Sequence, residues 1–121
     1  MSPFRSAKPR PDSEGFYHAG AAADLDQGQM RVLEVDSQPV IITRLDGEFH
    51  AFSADCPHAA GDLRQGEIYR GRIDCPEHDY RFDVRSGRTL WPPDEVCRLR
   101  KYEIVERDGQ LFIRLTPPAA T

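Results

Sequence analysis

The chain has 121 residues and a formal net charge of −4, which suits one domain with its own core and argues against a nucleic-acid partner. Hydrophobic residues are 39% of the total, while Pro (10) and Gly (9) are plentiful, so a turn-rich β fold is favoured over a helical one. No apolar run approaches the roughly 20 residues that cross a bilayer, so no membrane partner is expected.

Residues 1–15 hold Pro3, Pro9 and Pro11 and lack the apolar centre of a signal peptide. They read as a flexible N-terminal arm, and the protein as cytoplasmic. Strand-like runs follow at 16–19, 29–35 and 40–45, the last two set apart by Ser37, Gln38 and Pro39. Asp46 and Gly47 form a strong two-residue hairpin signal before an alternating run at 48–53. Residues 19–27 suggest a helical turn or two. A strand is expected at 80–84, with a turn at Ser86 and Gly87. A last pair at 98–106 and 110–115 is joined by Arg107, Asp108 and Gly109. The tail 116–121 holds Pro117 and Pro118 and is expected to fray. The expected fold is all-β, with a small ligand-bearing subdomain at about 55–93 inserted between the strands of one domain, 16–115.

Within that insertion the spacing C-x-H-x16-C-x2-H places Cys56 with His58 and Cys75 with His78. Pro57 and Pro76 stiffen the turns after the cysteines, and Gly61, Gly66 and Gly71 free the backbone between them. Two thiolates and two imidazoles suit either a tetrahedral zinc or a [2Fe–2S] cluster with histidines on one iron. One residue between Cys56 and His58 is tight for zinc, and no helix carries the histidines as in a zinc finger. The three cysteines are an odd number, which argues for metal ligation in a reducing compartment rather than disulfide scaffolding.

The motif resembles the Rieske family, above all its small soluble ferredoxins, and also the small subunit of assimilatory nitrite reductases. The resemblance implies a β-sandwich or barrel base with an inserted cluster-binding subdomain and one [2Fe–2S] cluster per chain. It implies that Cys56 and Cys75 bind one iron and that His58 and His78 bind the other through Nδ1. Such a cluster, oxidised and with neutral histidines, carries no net charge, so it accepts an electron more readily than an all-cysteine cluster.

Respiratory Rieske proteins add a disulfide cysteine to each loop and carry a serine two residues, and a tyrosine four residues, after the last histidine. This chain lacks both cysteines and has Tyr80 and Phe82 at those places. Glu77 and Asp79 flank His78 and add negative charge. These departures imply a potential near the low end of the roughly −150 to +300 mV Rieske range. Trp91 and Pro92 lie in a segment that covers the cluster in the family; Trp91 alternatively fills the core under the loop.

The resemblance implies a monomeric one-electron carrier, not itself an enzyme. A flavin reductase would be its donor, and an oxygenase or other reductase its acceptor. The alternatives are a nitrite reductase small subunit and, in another class, a structural zinc-binding or redox-sensing module. His18 and His50 read as structural or surface residues and Cys97 as a reduced, buried thiol. Arg64, Arg70, Arg72, Arg81, Arg85 and Arg88 are expected to pair with Asp62, Asp74 and Asp83.

Overall fold

A computed structural model describes residues 11–55, 62–76, 80–94 and 97–115. Strands β1 (Phe16–Ala21), β2 (Met30–Val35), β3 (Gln38–Leu45), β4 (Glu48–Ser53), β9 (Lys101–Arg107) and β10 (Gln110–Arg114) form a six-stranded sheet. Its order, β1-β10-β9-β4-β3-β2, curls into a nearly closed barrel. Between β4 and β9 the chain builds a second sheet, ordered β5 (Ile68–Tyr69), β6 (Arg72–Asp74), β7 (Arg81–Asp83) and β8 (Thr89–Trp91). The fold is therefore all-β with an insertion, as expected. Among the described residues no helix is long and apolar enough to cross a membrane.

Three barrel hairpins turn on two residues with positive φ: Asp36 and Ser37, Asp46 and Gly47, and Asp108 and Gly109. That geometry matches the right-handed twist of the paired strands. Gln38 and Pro39, expected to separate two strands, instead belong to β3. The two-residue turn makes Val35 and Gln38 the closing pair, so Pro39 falls opposite Glu34 in a non-hydrogen-bonded position. Its missing N–H therefore costs β2 nothing.

β3 is buried on both sides, which is why its sequence runs apolar instead of alternating. Val40 and Ile42 pack inside the barrel with Ala51, Tyr102, Leu111 and Ile113. Ile41 and Leu45 point the other way, into a second core with Phe52, Leu63, Ile73, Phe82, Val84 and Leu99. The inserted sheet is thus fastened to the outer face of β3 and β4.

The edge strands β1 and β2 meet through a side chain. The Arg31 guanidinium donates to the carbonyls of Ala19 and Ala21, each at 2.8 Å. Gly20 lies between them, and a Cβ there would stand 2.6 Å from Arg31 Nη1. Only glycine leaves room for this latch.

Two boundaries differ from expectation. Residues 11–15, expected within a flexible arm, form a turn in which the Phe16 amide donates to Asp12 Oδ1 at 2.9 Å. Arg107 reaches both Asp12 and Glu14, tying this turn to β9. The helical propensity of 19–27 yields only one 3-10 turn, Ala22–Asp24, because β1 consumes its first residues.

Candidate metal centre

Two loop stems are well defined. Asp55 and Asp62 form an antiparallel bridge that closes segment 56–61, and the Leu63 amide donates to the Ala54 carbonyl at 2.8 Å. The Asp62 carboxylate accepts from the Arg64 amide at 3.0 Å and so caps the 3-10 turn Leu63–Gln65. In the second stem the Cys75 amide donates to the Tyr80 carbonyl at 2.7 Å, closing segment 76–79.

The stems are neighbours. A Cβ on Gly66 would lie 2.0 Å from the carbonyl oxygen of Asp74, the residue before Cys75, so this crossing requires glycine. Ala54, Leu63, Cys75 and Phe82 share one buried cluster, with Tyr80 packed against it.

Of the expected ligands, Cys75 is described: it is 1% exposed and forms no disulfide. Cys56, His58 and His78 lie outside the described residues, as do Glu77 and Asp79. Tyr80 is half-buried and stacks on Phe82 with ring centroids 6.2 Å apart. Phe82 is fully buried, so its ring faces the core between barrel and insertion.

Trp91 is 50% exposed on strand β8, which removes the reading that it fills the core. Pro92 is half-buried and follows it through a cis peptide bond. Cys97 was expected to be buried but is only half-buried, because it lies in the exposed return from β8 to β9. Its carbonyl accepts a hydrogen bond from the Thr89 hydroxyl.

The arginine pairing is partly as expected. Arg64 pairs with Asp62, and Arg72 with Asp74. Arg85 pairs with Asp46 of the β3–β4 turn rather than with Asp83. Asp83 is occupied by the Ser86 amide and hydroxyl; burial raises its carboxyl, but these bonds outweigh burial and hold it below the ordinary range. Arg70 lies over the Tyr69 ring, 5.3 Å from its centroid.

His18 is exposed and bonded to Gln110 at 2.7 Å, a surface role. His50 belongs to a strap that no sequence pattern marks. Lys101 Nζ donates to the carbonyls of Val84 and Arg85, at 2.8 and 2.9 Å, and lies 3.0 Å from His50 Nδ1. One barrel lysine thereby holds the turn that follows β7. Burial, aided by Arg85, pushes Lys101 below its usual value against the pull of Asp83.

The donor set fits a cluster with mixed ligation. Each closed segment starts at or beside a cysteine and carries a histidine two or three residues later, and both stems enter the same core. A family model described as the Rieske [2Fe-2S] domain matches residues 15–103. The chain belongs to the Rieske [2Fe–2S] domain family. Its cofactor is one [2Fe–2S] cluster.

The chain is 31% identical over 98 residues to the ferredoxin component of the alkene monooxygenase system of Xanthobacter autotrophicus, covering 80% of this chain and 79% of that one. It is 32% identical over 96 residues to human apoptosis-inducing factor 3, covering 79% of this chain but only 16% of that protein's length. Among solved structures, a complex of reduced oxygenase and oxidised ferredoxin in carbazole 1,9a-dioxygenase matches with a TM-score of 0.75. There the identity is 25%, over 84% of this Rieske chain and 94% of the matched one.

Proposed function

We propose that this Rieske domain, spanning 16–115, is a one-electron carrier that takes electrons from a flavin reductase and delivers them to an oxygenase or other redox enzyme. It catalyses no reaction of its own and works in the cytoplasm. The observation that supports the reading is that the two loop stems, through Ala54, Leu63, Cys75 and Tyr80, meet in one core in which Cys75 is buried. Similarity along 79% of a monooxygenase ferredoxin component supports it, as does the fold shared with a ferredoxin bound to its oxygenase.

Cys56 and Cys75 would hold one iron and His58 and His78 the other. When bound, the group stores and releases a single electron. The chain's own residues set the conditions. Leu63, Ile73 and Phe82 surround Cys75 with apolar atoms and exclude water from its sulfur. The Cys75 amide, donating to the Tyr80 carbonyl, holds the stem from which the segment with His78 departs. Phe82 offers no hydroxyl where respiratory members have one, which keeps the potential low.

The purified protein should be brown, hold two irons and two sulfides, and give a low-average-g EPR signal when reduced. Cys75→Ser should abolish the visible bands, and Cys97→Ser should keep them. Film voltammetry should give a potential near the low end of the roughly −150 to +300 mV range. A colourless, zinc-loaded protein would end the carrier reading; a potential above about +100 mV on that scale would end the low-potential part alone.

A further inference from the structure

The inner face of the barrel changes character at one end. Along β3 the inward residues Ile42 and Val40 are followed by Gln38, and along β4 inward Ala51 is followed by Ser53. On β9, Tyr102 stands opposite Ala51. Leu99 is buried in the other core, so the alternation of the extended chain sets Arg98 and Arg100 on the same side as Tyr102. Gln38, Ser53, Asp55, Arg98, Arg100 and Tyr102 line a cleft of about 350 Å³.

The two arginines differ from most others in the chain. Arg31, Arg44, Arg64, Arg72, Arg85, Arg107 and Arg114 are each engaged with a carboxylate or carbonyl. Arg98 and Arg100 are exposed, and their guanidinium groups form no ion pair with a described residue. Their backbones are fixed, since the Ser53 amide donates to the Arg100 carbonyl at 2.9 Å and Arg98 bridges Arg88. Ser53 Oγ accepts from the Asp55 amide at 3.1 Å, which leaves its proton to donate into the cleft.

We propose that this barrel mouth binds a small molecule through an oxyanion group, phosphate or carboxylate. Two planar forks on alternate residues, about 6.6 Å apart along the chain, can grip one such group from two sides. The Ser53 and Tyr102 hydroxyls and the Gln38 amide add neutral donors. Asp55 is the opposing charge at the rim, and two cations outweigh it. The site combines barrel residues with Asp55, Arg98 and Arg100, which flank the insertion, and none of the six is an expected cluster ligand, so anion binding can be tested apart from the electron-carrier reading.

The test titrates the ¹⁵N-labelled holoprotein with inorganic phosphate and, separately, with citrate, using sodium chloride at matched ionic strength as reference. Saturable amide shifts at Gln38, Ser53 and Tyr102 are expected, and the arm that saturates at lower concentration names the group. Arg98→Gln with Arg100→Gln should weaken binding roughly tenfold or more, and Asp55→Asn should tighten it. If the glutamine pair fails to fold, Arg98→Lys with Arg100→Lys keeps the charge, removes the forks and should still weaken binding. Shifts that match chloride in both arms, or affinity unchanged in whichever pair folds, overturn the proposal.

Discussion

The barrel and the inserted sheet are stabilised in different ways. Barrel strands are five to eight residues long, joined in part by two-residue turns, and filled by their own inward side chains. Strands β5 to β8 are two or three residues each, too short to stand alone. They rest on the outer face of β3 and β4 through Phe82, Leu63 and Ile73, and on Lys101 through the turn after β7. The barrel is thus a self-sufficient platform, and the insertion borrows a core from it. A cluster site benefits from that division, because ligand loops can vary while their foundation stays fixed.

The largest expected effects separate the two cores. Phe82→Ala should cost about 3–5 kcal/mol, and Leu111→Ala about 2–5 kcal/mol, since both side chains are fully buried. Their location in the molecule should differ more than their size. Hydrogen exchange in Phe82→Ala should speed up across β5 to β8 and leave β9 and β10 protected, whereas Leu111→Ala should weaken protection throughout. Equal loss everywhere in both variants would show one cooperative unit and dissolve the distinction.

Legibility from sequence follows the same division. Period-two runs and the Asp46–Gly47 signal mark the barrel because its strands are long enough to repeat a pattern. Expected 48–53 coincides with β4, and the β9–β10 pair is placed within three residues. Strands β5, β6 and β8 escaped because two or three residues contain no period at all. The proposed ligands Cys56, His58, Cys75 and His78 stood out through chemistry and spacing rather than periodicity. The Lys101 strap and the Arg31 latch were invisible, since each depends on carbonyls that the fold alone brings within reach.

A smaller effect should fall on the barrel seam. Arg31→Met removes both bonds from β2 to β1 and leaves two carbonyls of β1 without that donor. Hydrogen bonds from a charged group are worth about 1.5–3 kcal/mol, so urea unfolding should register a loss of that order. Amide exchange should rise in β1, while the inserted sheet, fastened elsewhere, should be unaffected. Faster exchange in β5 to β8 would mean that the seam supports both regions.

The smallest effect should appear as a pH dependence of the strap between the regions. Lys101 must donate to His50 Nδ1, so that nitrogen is unprotonated in the folded protein. Burial first, then the charges of Lys101 and Arg85, lower the His50 pKa from 6.5; Glu48 and Asp83 pull weakly the other way. The unfolded chain therefore takes up a proton below about pH 6.5 that the folded chain refuses. Stability should fall as pH drops from there to the folded pKa, level off below it, and show no His50 contribution above neutrality. Urea midpoints at about pH 7.5 and about pH 5.5 should converge more closely in His50→Gln than in the natural chain, because the variant has no imidazole to protonate. An equal pH response in both would detach His50 from the strap and leave Lys101 holding the turn through its two carbonyls alone.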